Sequence, residues 1–441
     1  MRSRKTPFAW LLEKEWRELL TSRAWWVMLV VIGPLVGVSF ISAVRTYAEL
    51  SGYGGTTEGV GEAFSPLVGI WAPTFSACEL AAAFLLPFVA IRLFAGDRQS
   101  GALKLELQQP MPVLSRVLAK ALVLMAGWVI ASTPTLLALI LWRSYGGSVY
   151  PPELTAVILG HFLNAGLTIA LASAAASLTD HPATAAIVTL SVTIGTWIVN
   201  FVAAVQGGAW ERAAEYTPTA MVAEFQHGLV RLDVVLTASS LALFGLVIAA
   251  IWMRLGMTVR RRVYESIAAG ALTAAAILAF TFVRTNTDLS ENRMNSFPEP
   301  DEEVLERIRE PLRIEAHLAA QDPRRTDLER FAVSKLRRVL PRVEVHYVAN
   351  TTTGMFEQAS QHYGEIWYDL GGRRAMSRTT TAEGVLETIY SLAGVTPPQE
   401  SEAVFRGHPL AVPPRRAGAV FYGIWPALVV AAGVFIRRRQ S

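Results

Sequence analysis

Long runs of apolar residues, separated by short polar connections, recur along most of the chain. A helix that crosses a bilayer needs about 20 mostly apolar residues, and eight runs are long enough. They lie near Trp25–Val44, Leu67–Phe94, Val117–Trp142, Leu154–Leu178, Thr184–Val205, Val234–Met253, Ser266–Val283 and Ala419–Ile436. Because the second run contains Pro73 and Pro87, we expect it to be kinked or partly re-entrant. The pattern predicts an α-helical integral membrane protein with about eight transmembrane helices.

The residues before the first run predict an amphipathic helix over Pro7–Thr21. Its apolar face carries Phe8, Leu11, Leu12, Trp16, Leu19 and Leu20, and its charged face carries Glu13, Lys14, Arg17 and Glu18. An amphipathic helix just before a span is typical of a segment that lies in the membrane interface. The alternative is an extension of the first span, although charged residues interrupt the pattern throughout.

The long segment between the last two spans, residues 284–418, predicts one small α/β domain outside the membrane. Alternating or hairpin patterns predict strands at Leu312–Leu318, Val343–Val348, Glu365–Leu370 and Arg373–Ser377. Between the first two strands, apolar residues from Leu328 to Val339 recur at helical spacing, with a capping pattern at Thr326 and Glu329. A last helix is predicted over Ala382–Ala393, starting from Thr380 and stopping at Gly394.

These patterns divide the chain into five parts. We predict a cytoplasmic interface helix in residues 1–24, a six-span domain in 25–254 and a seventh span in 255–283. The α/β domain occupies 284–418, and an eighth span with a basic tail occupies 419–441.

The distribution of lysine and arginine predicts the orientation. Eighteen of them lie in the two terminal segments and the connections on the same side, and four lie in the opposite short loops. Because basic residues are retained in cytoplasmic segments, both termini should be cytoplasmic and residues 284–418 should lie on the far side. The same residues account for the net charge of +4 without a nucleic-acid partner, since they contact anionic lipid headgroups.

Composition excludes a soluble cytoplasmic enzyme. Hydrophobic residues make up 52% of the chain and charged residues 17%, whereas soluble domains carry roughly 25% charge. The single cysteine, Cys78, excludes an intrachain disulfide and a cysteine-based metal cluster.

No nucleotide-binding or catalytic motif occurs in the sequence, so we assign no catalytic residue, cofactor or metal to this chain. A phosphate-binding loop, a zinc-protease motif and a nucleophile-elbow motif are all missing, and the glycines in Gly52–Gly61 lack a strand-turn-helix context. His317 and His346 lie on the first two predicted strands. They could belong to a His/Glu metal site, or they could simply lie on a solvated polar face of the sheet.

Polar residues inside membrane spans mark function by default. In this sequence they are Glu79, His161, Asn164 and Asn200. These side chains either face a substrate pathway or form polar contacts between packed helices. For Glu79 both interpretations stay open.

The segment from Pro87 to Lys120 closely resembles the ABC-2-type exporter permeases, and Lys14–Arg23 resembles the start of the same family. Within that family the chain is most similar to the gliding-motility-associated permease, through Ile91–Ala95 and the loop from Thr217 to Leu232. From Asp288 onward it resembles the auxiliary subunit of that system. The resemblances imply a permease fused to its extracytoplasmic auxiliary subunit.

The resemblance also implies partners and a mechanism. Two permease copies would work with two ATPase subunits, which carry ATP and Mg²⁺, in the bacterial cytoplasmic membrane. In the connection between spans 2 and 3, the sequence itself predicts a short helical run, Ala102–Gln108, bounded by Gly101 and Pro110, which would dock on the ATPase. The alternative is a solvated loop whose charges only enforce topology. The predicted coupling residues are Lys14, Arg17, Asp97, Arg98, Gly101, Lys104 and Glu106. The alternative function is a membrane-anchored sensor or scaffold whose outer domain binds a partner without transport.

Overall fold

The computed structural model describes residues 6–53, 64–99, 111–206, 209–348, 362–398 and 405–440. Eight helical segments in it are long and apolar enough to cross a membrane. We call them spans 1 to 8: Arg23–Gly52, Leu67–Gly96, Val113–Ser144, Pro151–Leu178, Pro182–Ala203, Leu232–Met253, Val259–Phe280 and Ala419–Arg439. The predicted fold class, a multi-span helical protein with one small α/β region, is confirmed.

The helices and strands are numbered here in chain order. The membrane part contains α1 (Pro7–Thr21), α2 (Arg23–Tyr53), α3 (Ala72–Phe84), α4 (Leu86–Gln99), α5 (Val113–Ala131), α6 (Thr133–Ser144), α7 (Pro151–Leu178), α8 (Pro182–Gln206), α9 (Ala209–Ala214), α10 (Pro218–Gln226), β1 (Leu229–Arg231), α11 (Leu232–Met253) and α12 (Val259–Phe280). The remainder contains β2 (Asn286–Asp288), α13 (Glu299–Leu305), β3 (Leu312–Ala316), α14 (Pro323–Leu328), α15 (Ser334–Val339), β4 (Val343–Tyr347), β5 (Ile366–Leu370), β6 (Arg373–Ser377), α16 (Ala382–Ala393) and α17 (Trp425–Gln440). Three π-helical turns, Leu67–Trp71, Glu329–Val333 and Ala419–Ile424, continue directly into α3, α15 and α17.

Spans 2 and 3 are both interrupted, although only span 2 was expected to be. In span 2, α3 ends at Phe84 and α4 begins at Leu86, because Pro87 has no N–H to continue the helical ladder. In span 3, Pro134 lies in the first turn of α6, and α5 ends at Ala131. The prediction of one continuous helix in span 3 overlooked that proline.

α1 is a separate helix, so the alternative of an extended first span is wrong. Ser22 lies between α1 and α2 in an extended conformation (φ −69°, ψ 121°), and the Thr6 hydroxyl accepts a hydrogen bond from the Ala9 N–H at 3.3 Å. The Leu19 side chain is fully buried and packs against Gly127 of span 3. The apolar face of α1 is therefore turned toward the spans.

The α/β region contains a four-stranded sheet in the order β4-β3-β5-β6. β3 and β4 are parallel, with Leu312 opposite Val343, and the helical stretch from α14 to α15 forms the crossover between them. The other two pairings are antiparallel. Alternate residues of β3 and β5 are buried with α16 in one apolar core, which confirms the predicted strands.

Two of the predicted helix caps are wrong in position. The helix after β3 begins at Pro323, where the Asp322 carboxylate accepts from the Arg324 N–H at 3.0 Å, and not at Thr326. α16 is capped by Thr381, one residue after the expected Thr380. Its end at Gly394 is confirmed, because that residue has φ +70°, which glycine adopts without strain.

The α/β region is joined to the membrane part by side-chain and backbone contacts at one end of the spans. β1, just before span 6, pairs antiparallel with β2, just after span 7. The Glu153 carboxylate at the start of span 4 accepts from the Glu291 N–H at 2.7 Å, and Glu291 contacts His408 at 3.0 Å. The region therefore lies at the end of the bundle opposite α1, which is the side predicted by alternation of the spans.

Candidate functional site: an intramembrane cavity and a charged cluster

A cavity of about 660 Å³ lies among spans 2, 4, 5, 6 and 7. Its polar lining consists of Glu79 from span 2, Asn164 and Thr168 from span 4, Thr193 and Thr196 from span 5, Thr219 from α10 and Ser266 from span 7. Its walls are otherwise apolar and aromatic, with Trp197, Phe244 and Trp252 as the largest side chains. The cavity therefore combines an apolar lining with a few polar groups, as ligand sites commonly do.

A close approach of spans 4 and 6 forms one wall of this cavity. A Cβ atom placed on Gly245 would lie 3.0 Å from the backbone of Ala170. Glycine at this position allows the two helix backbones to meet, as small residues do at membrane helix interfaces. The large side chains of neighbouring turns then surround a space instead of filling it.

Glu79 and Asn164 are polar side chains of the cavity that make no polar contact with the described part of the protein. Among the described residues, neither the Glu79 carboxylate nor the Asn164 amide has a hydrogen-bond or ion-pair partner. The Thr193 and Thr196 hydroxyls instead donate to carbonyls of their own helix at 3.0 and 2.7 Å. Glu79 and Asn164 can therefore contact a ligand without breaking an internal bond.

A second cavity of about 330 Å³ adjoins the first on the side of α10. Glu79, Trp197 and Thr219 line both, and Asn200 lines the second. The Asn200 side-chain oxygen accepts from the Thr217 hydroxyl at 2.8 Å, at the start of α10. The two cavities thus extend along the spans, from Leu178 and Trp252 at the end that carries α1 to Thr219 and Asn200 near the end that carries the α/β region.

His161 is placed away from both cavities. Its ring packs against Phe75 of span 2 with 5.3 Å between centroids, and its Nε2 lies 3.2 Å from the Gln226 side-chain nitrogen. Of the four predicted pathway residues, the structure brings Glu79, Asn164 and Asn200 to the cavities. It gives His161 a packing position between span 2, span 4 and α10.

A charged cluster lies at the opposite end, where α1 meets spans 2 and 3. The buried Glu15 carboxylate accepts from the Lys120 ammonium at 2.6 Å, and Lys120 also donates to the Leu93 carbonyl at 3.2 Å. Lys14 lies 3.3 Å from the same carboxylate and 3.1 Å from Glu18. One buried ion pair therefore connects α1, α4 and α5.

Burial determines the electrostatics of Glu15. Loss of water raises the pKa of its carboxyl above the ordinary value, while the ammonium groups of Lys120 and Lys14 act in the opposite direction. Neither Glu15 nor Lys120 was a predicted site residue. The signal was present in the sequence, because Glu15 lies four residues from Leu11 and from Leu19 and so falls on the apolar face of α1.

The predicted coupling residues are only partly covered by the structure. Lys14 belongs to the charged cluster, and Arg17 is exposed and pairs with Glu13 at 2.6 Å. Asp97 and Arg98 lie in the last turn of α4, which leads away from the Leu93 carbonyl. Gly101, Lys104 and Glu106 lie outside the described residues.

The two predicted strand histidines do not form a metal cluster in the described part of the chain. His317 lies 3.4 Å from Glu315, and His346 is the strand partner of Glu315. Within the described ranges no group of three His, Cys, Asp or Glu side chains could hold a metal ion. On the same sheet, Arg313 and Glu344 form an exposed ion pair at 3.1 Å.

Comparison with known proteins gives one match. Residues 9–229 match the family model described as ABC-2 family transporter protein, which is half of the chain. The matched part contains α1, spans 1 to 5, α10 and the start of β1. Searches of curated proteins and of solved structures found no match.

Proposed function

This chain belongs to the ABC-2 transporter family, and we propose that it is the membrane subunit through which a separate ATPase drives export of a substrate. The observation that supports this function best is the pair of adjoining cavities, which extends along the spans and contains uncommitted polar groups. A sensor or scaffold needs no such space between its membrane helices.

We place the ATPase on the side of α1. The sequence has no phosphate-binding loop, so ATP and Mg²⁺ would bind to the partner. The charged cluster at Glu15 and Lys120 connects α1 to the helix that carries Asp97 and Arg98. A partner that displaces these residues would therefore act on α1, α4 and α5 together, and its ATP-bound form must favour one permease conformation over the other.

The finer resemblance supports a further proposal on organisation. Two copies of the chain would assemble with two ATPase subunits. The α/β region and span 8 would correspond to the auxiliary subunit of the gliding-motility-associated system, fused to its permease. The order of elements, a span, an α/β sheet and a final span ending in arginines, supports this correspondence.

Co-purification tests the ATPase partner. Tagged full-length chain, extracted from its native membrane, should retain a chain that contains a phosphate-binding loop, and the preparation should hydrolyse ATP. Arg98→Glu with Lys104→Glu should abolish the association while insertion into the membrane is maintained. The matched control reverses two exposed arginines of the α/β region, Arg313→Glu with Arg374→Glu, and should retain the ATPase.

Two outcomes would contradict the proposal. Wild-type chain that carries no nucleotide-binding partner would favour the sensor or scaffold. A double reversal that keeps ATP-driven export would remove the coupling role from Arg98 and Lys104.

Cysteine labelling in intact cells tests the proposed orientation. In a Cys78→Ala background, the exposed positions Arg17→Cys on α1 and Glu383→Cys on α16 should differ in reactivity. An impermeant thiol reagent should label position 383 and should label position 17 only after the cells are opened. The reverse pattern would contradict cytoplasmic termini and the bacterial inner-membrane orientation that we propose.

A further inference from the structure

We infer that the intramembrane cavity binds hydrophobic monocations, with the Glu79 carboxylate as their counter-charge. This inference rests on the proposed export function and specifies the substrate class of the same cavity. The ligand is an apolar body of drug size with a single positive charge.

The charge of the lining supports a cation. Among the described residues that line the two cavities, Glu79 is the one ionisable side chain. Its carboxylate has no partner among the described residues, and a carboxylate among apolar side chains is costly unless a positive charge or a proton neutralises it. An anionic ligand would be repelled, and a neutral lipid tail would leave the carboxylate unpaired.

The aromatic lining supports the same charge. Trp197 borders both cavities together with Glu79, and Phe244 lines the larger cavity from span 6. A cation near the face of an aromatic ring is attracted by the ring quadrupole, and the attraction is stronger where water is excluded. The Trp197 ring is held in an edge-to-face contact with Phe84, with 5.5 Å between centroids. The Glu79 carboxylate and the Trp197 indole, which line both cavities, thus favour the same ligand.

The dimensions of the cavity support a ligand of drug size. Its volume of about 660 Å³ lies within the usual range of small-molecule sites, roughly 300–1,000 Å³. Span 7 borders the cavity through Val263, Ser266 and Ile267, on a side that stays partly open because Val263 and Ile267 are exposed. These three residues lie beyond the part that matches the family model, so selectivity depends partly on the C-terminal half of the chain.

Two probes of nearly the same size and shape but opposite charge test the inference. They are tetraphenylphosphonium, a cation, and tetraphenylborate, an anion. Binding to purified full-length chain in detergent is measured by equilibrium dialysis without any ATPase, and partition into protein-free micelles is subtracted. Wild type should bind the cation saturably, at about one per chain. Glu79→Gln should weaken cation binding at least tenfold and should not weaken binding of the anion.

The controls separate charge from damage to the fold. Glu49→Gln removes an exposed carboxylate at the far end of α2 and should leave cation binding unchanged. Glu79→Asp keeps the charge and should retain most of the cation affinity. Absence of saturable cation binding by wild type would overturn the inference without any variant, and so would equal binding by wild type and a folded Glu79→Gln variant.

The result is independent of the test for the proposed function. Loss of the ATPase association would leave probe binding intact and would contradict only the coupled export. Normal association together with charge-indifferent binding would contradict only the substrate class.

Discussion

Glu15→Gln should destabilise the protein far more than any other loss of a carboxylate on α1. The Glu15 and Lys120 side chains are 0% and 1% exposed, and their charged atoms lie 2.6 Å apart. At an effective dielectric constant of 20, a pair at this distance has a Coulomb attraction of about 6 kcal/mol, much of which offsets the desolvation of both ions. Removing the carboxylate leaves the buried Lys120 ammonium with the more distant Glu18 carboxylate, at 4.0 Å, in place of its direct counter-ion. Loss of one partner of a buried pair costs up to about 3–5 kcal/mol.

The matched comparison lies on the same helix. Glu13 pairs with Arg17 at the same distance, 2.6 Å, but their side chains are 30% and 68% exposed. Exposed pairs of this kind contribute less than about 1 kcal/mol, so Glu13→Gln should be nearly silent. The two ion pairs have the same N–O distance but different burial, so loss of the carboxylate should lower the free energy of unfolding by very different amounts.

The opposite deletion should cost less than Glu15→Gln. In Lys120→Met, the Glu15 carboxylate keeps Lys14 at 3.3 Å, and its raised pKa allows it to take up a proton. The Leu93 carbonyl loses one donor in this variant, which costs about 1–3 kcal/mol if nothing replaces it. The combined variant should be less damaging than the sum of the two single changes, because neither charge remains alone.

The assay is equilibrium unfolding of the full-length chain in mixed micelles, followed by circular dichroism for wild type, the two single variants, the double variant and Glu13→Gln. A coupling energy near zero between positions 15 and 120 would refute the reasoning. So would equal destabilisation by Glu15→Gln and Glu13→Gln, because burial would then have no effect on the energy of the pair.

Two further predictions concern helix packing and pH. Gly245→Ala should destabilise the chain by about 1–3 kcal/mol in the same unfolding assay, because the added Cβ would lie 3.0 Å from the span 4 backbone. The control, Gly270→Ala in span 7, should be neutral, because the nearest neighbouring atoms are 3.8 Å away. Equal effects of the two substitutions would contradict the close approach of spans 4 and 6. Burial alone would raise the pKa of Asp322, but hydrogen bonds from the side chains of Arg324 and Tyr363 outweigh it and hold that pKa below its ordinary value. The carboxylate therefore stabilises the start of α14 above about pH 4, and this contribution is lost as the pH falls through the lowered pKa. The protection factor of the α14 amides, which corrects for the slower intrinsic exchange in acid, should fall at low pH for wild type. Asp322→Asn should already show low protection at neutral pH, and an unchanged wild-type protection factor in acid would contradict this assignment.

The spans and most strands could be predicted from the sequence because their signals are local. A run of about 20 apolar residues rarely forms anything other than a membrane helix. Alternation of apolar and polar residues in β3 and β5 directly indicates a sheet with one buried face. Errors occurred where a single residue changes the backbone. The break before Pro134 and the cap at Asp322 depend on one side chain each, and a pattern averaged over ten residues does not resolve them.

The sites were harder to predict because they depend on contacts between distant parts of the chain. Lys120 is separated from Glu15 by 105 positions, and β1 pairs with β2 across two spans. Glu79 and Asn164 were noticeable as polar residues in apolar runs, but no pattern shows that they line one cavity and that His161 does not. That difference follows from how spans 2 and 4 are rotated, which packing determines.

Span 2 connects the two sites physically. Its second half, α4, has 14 residues and therefore a length of about 21 Å. Near one end, the Leu93 carbonyl accepts from Lys120, and Asp97 and Arg98 follow in the last turn. At the other end, the ladder is interrupted after Leu85, whose own N–H still donates to the Ala81 carbonyl at 2.8 Å, and Glu79 lies less than two turns beyond that break in α3. A displacement of the α1 end of α4 would therefore be concentrated at the break and would change the angle between α4 and the helix that carries Glu79. A continuous span would resist such bending along its whole length. Under the proposed function, the proline that interrupts span 2 would thus let a partner at one end alter the cavity at the other.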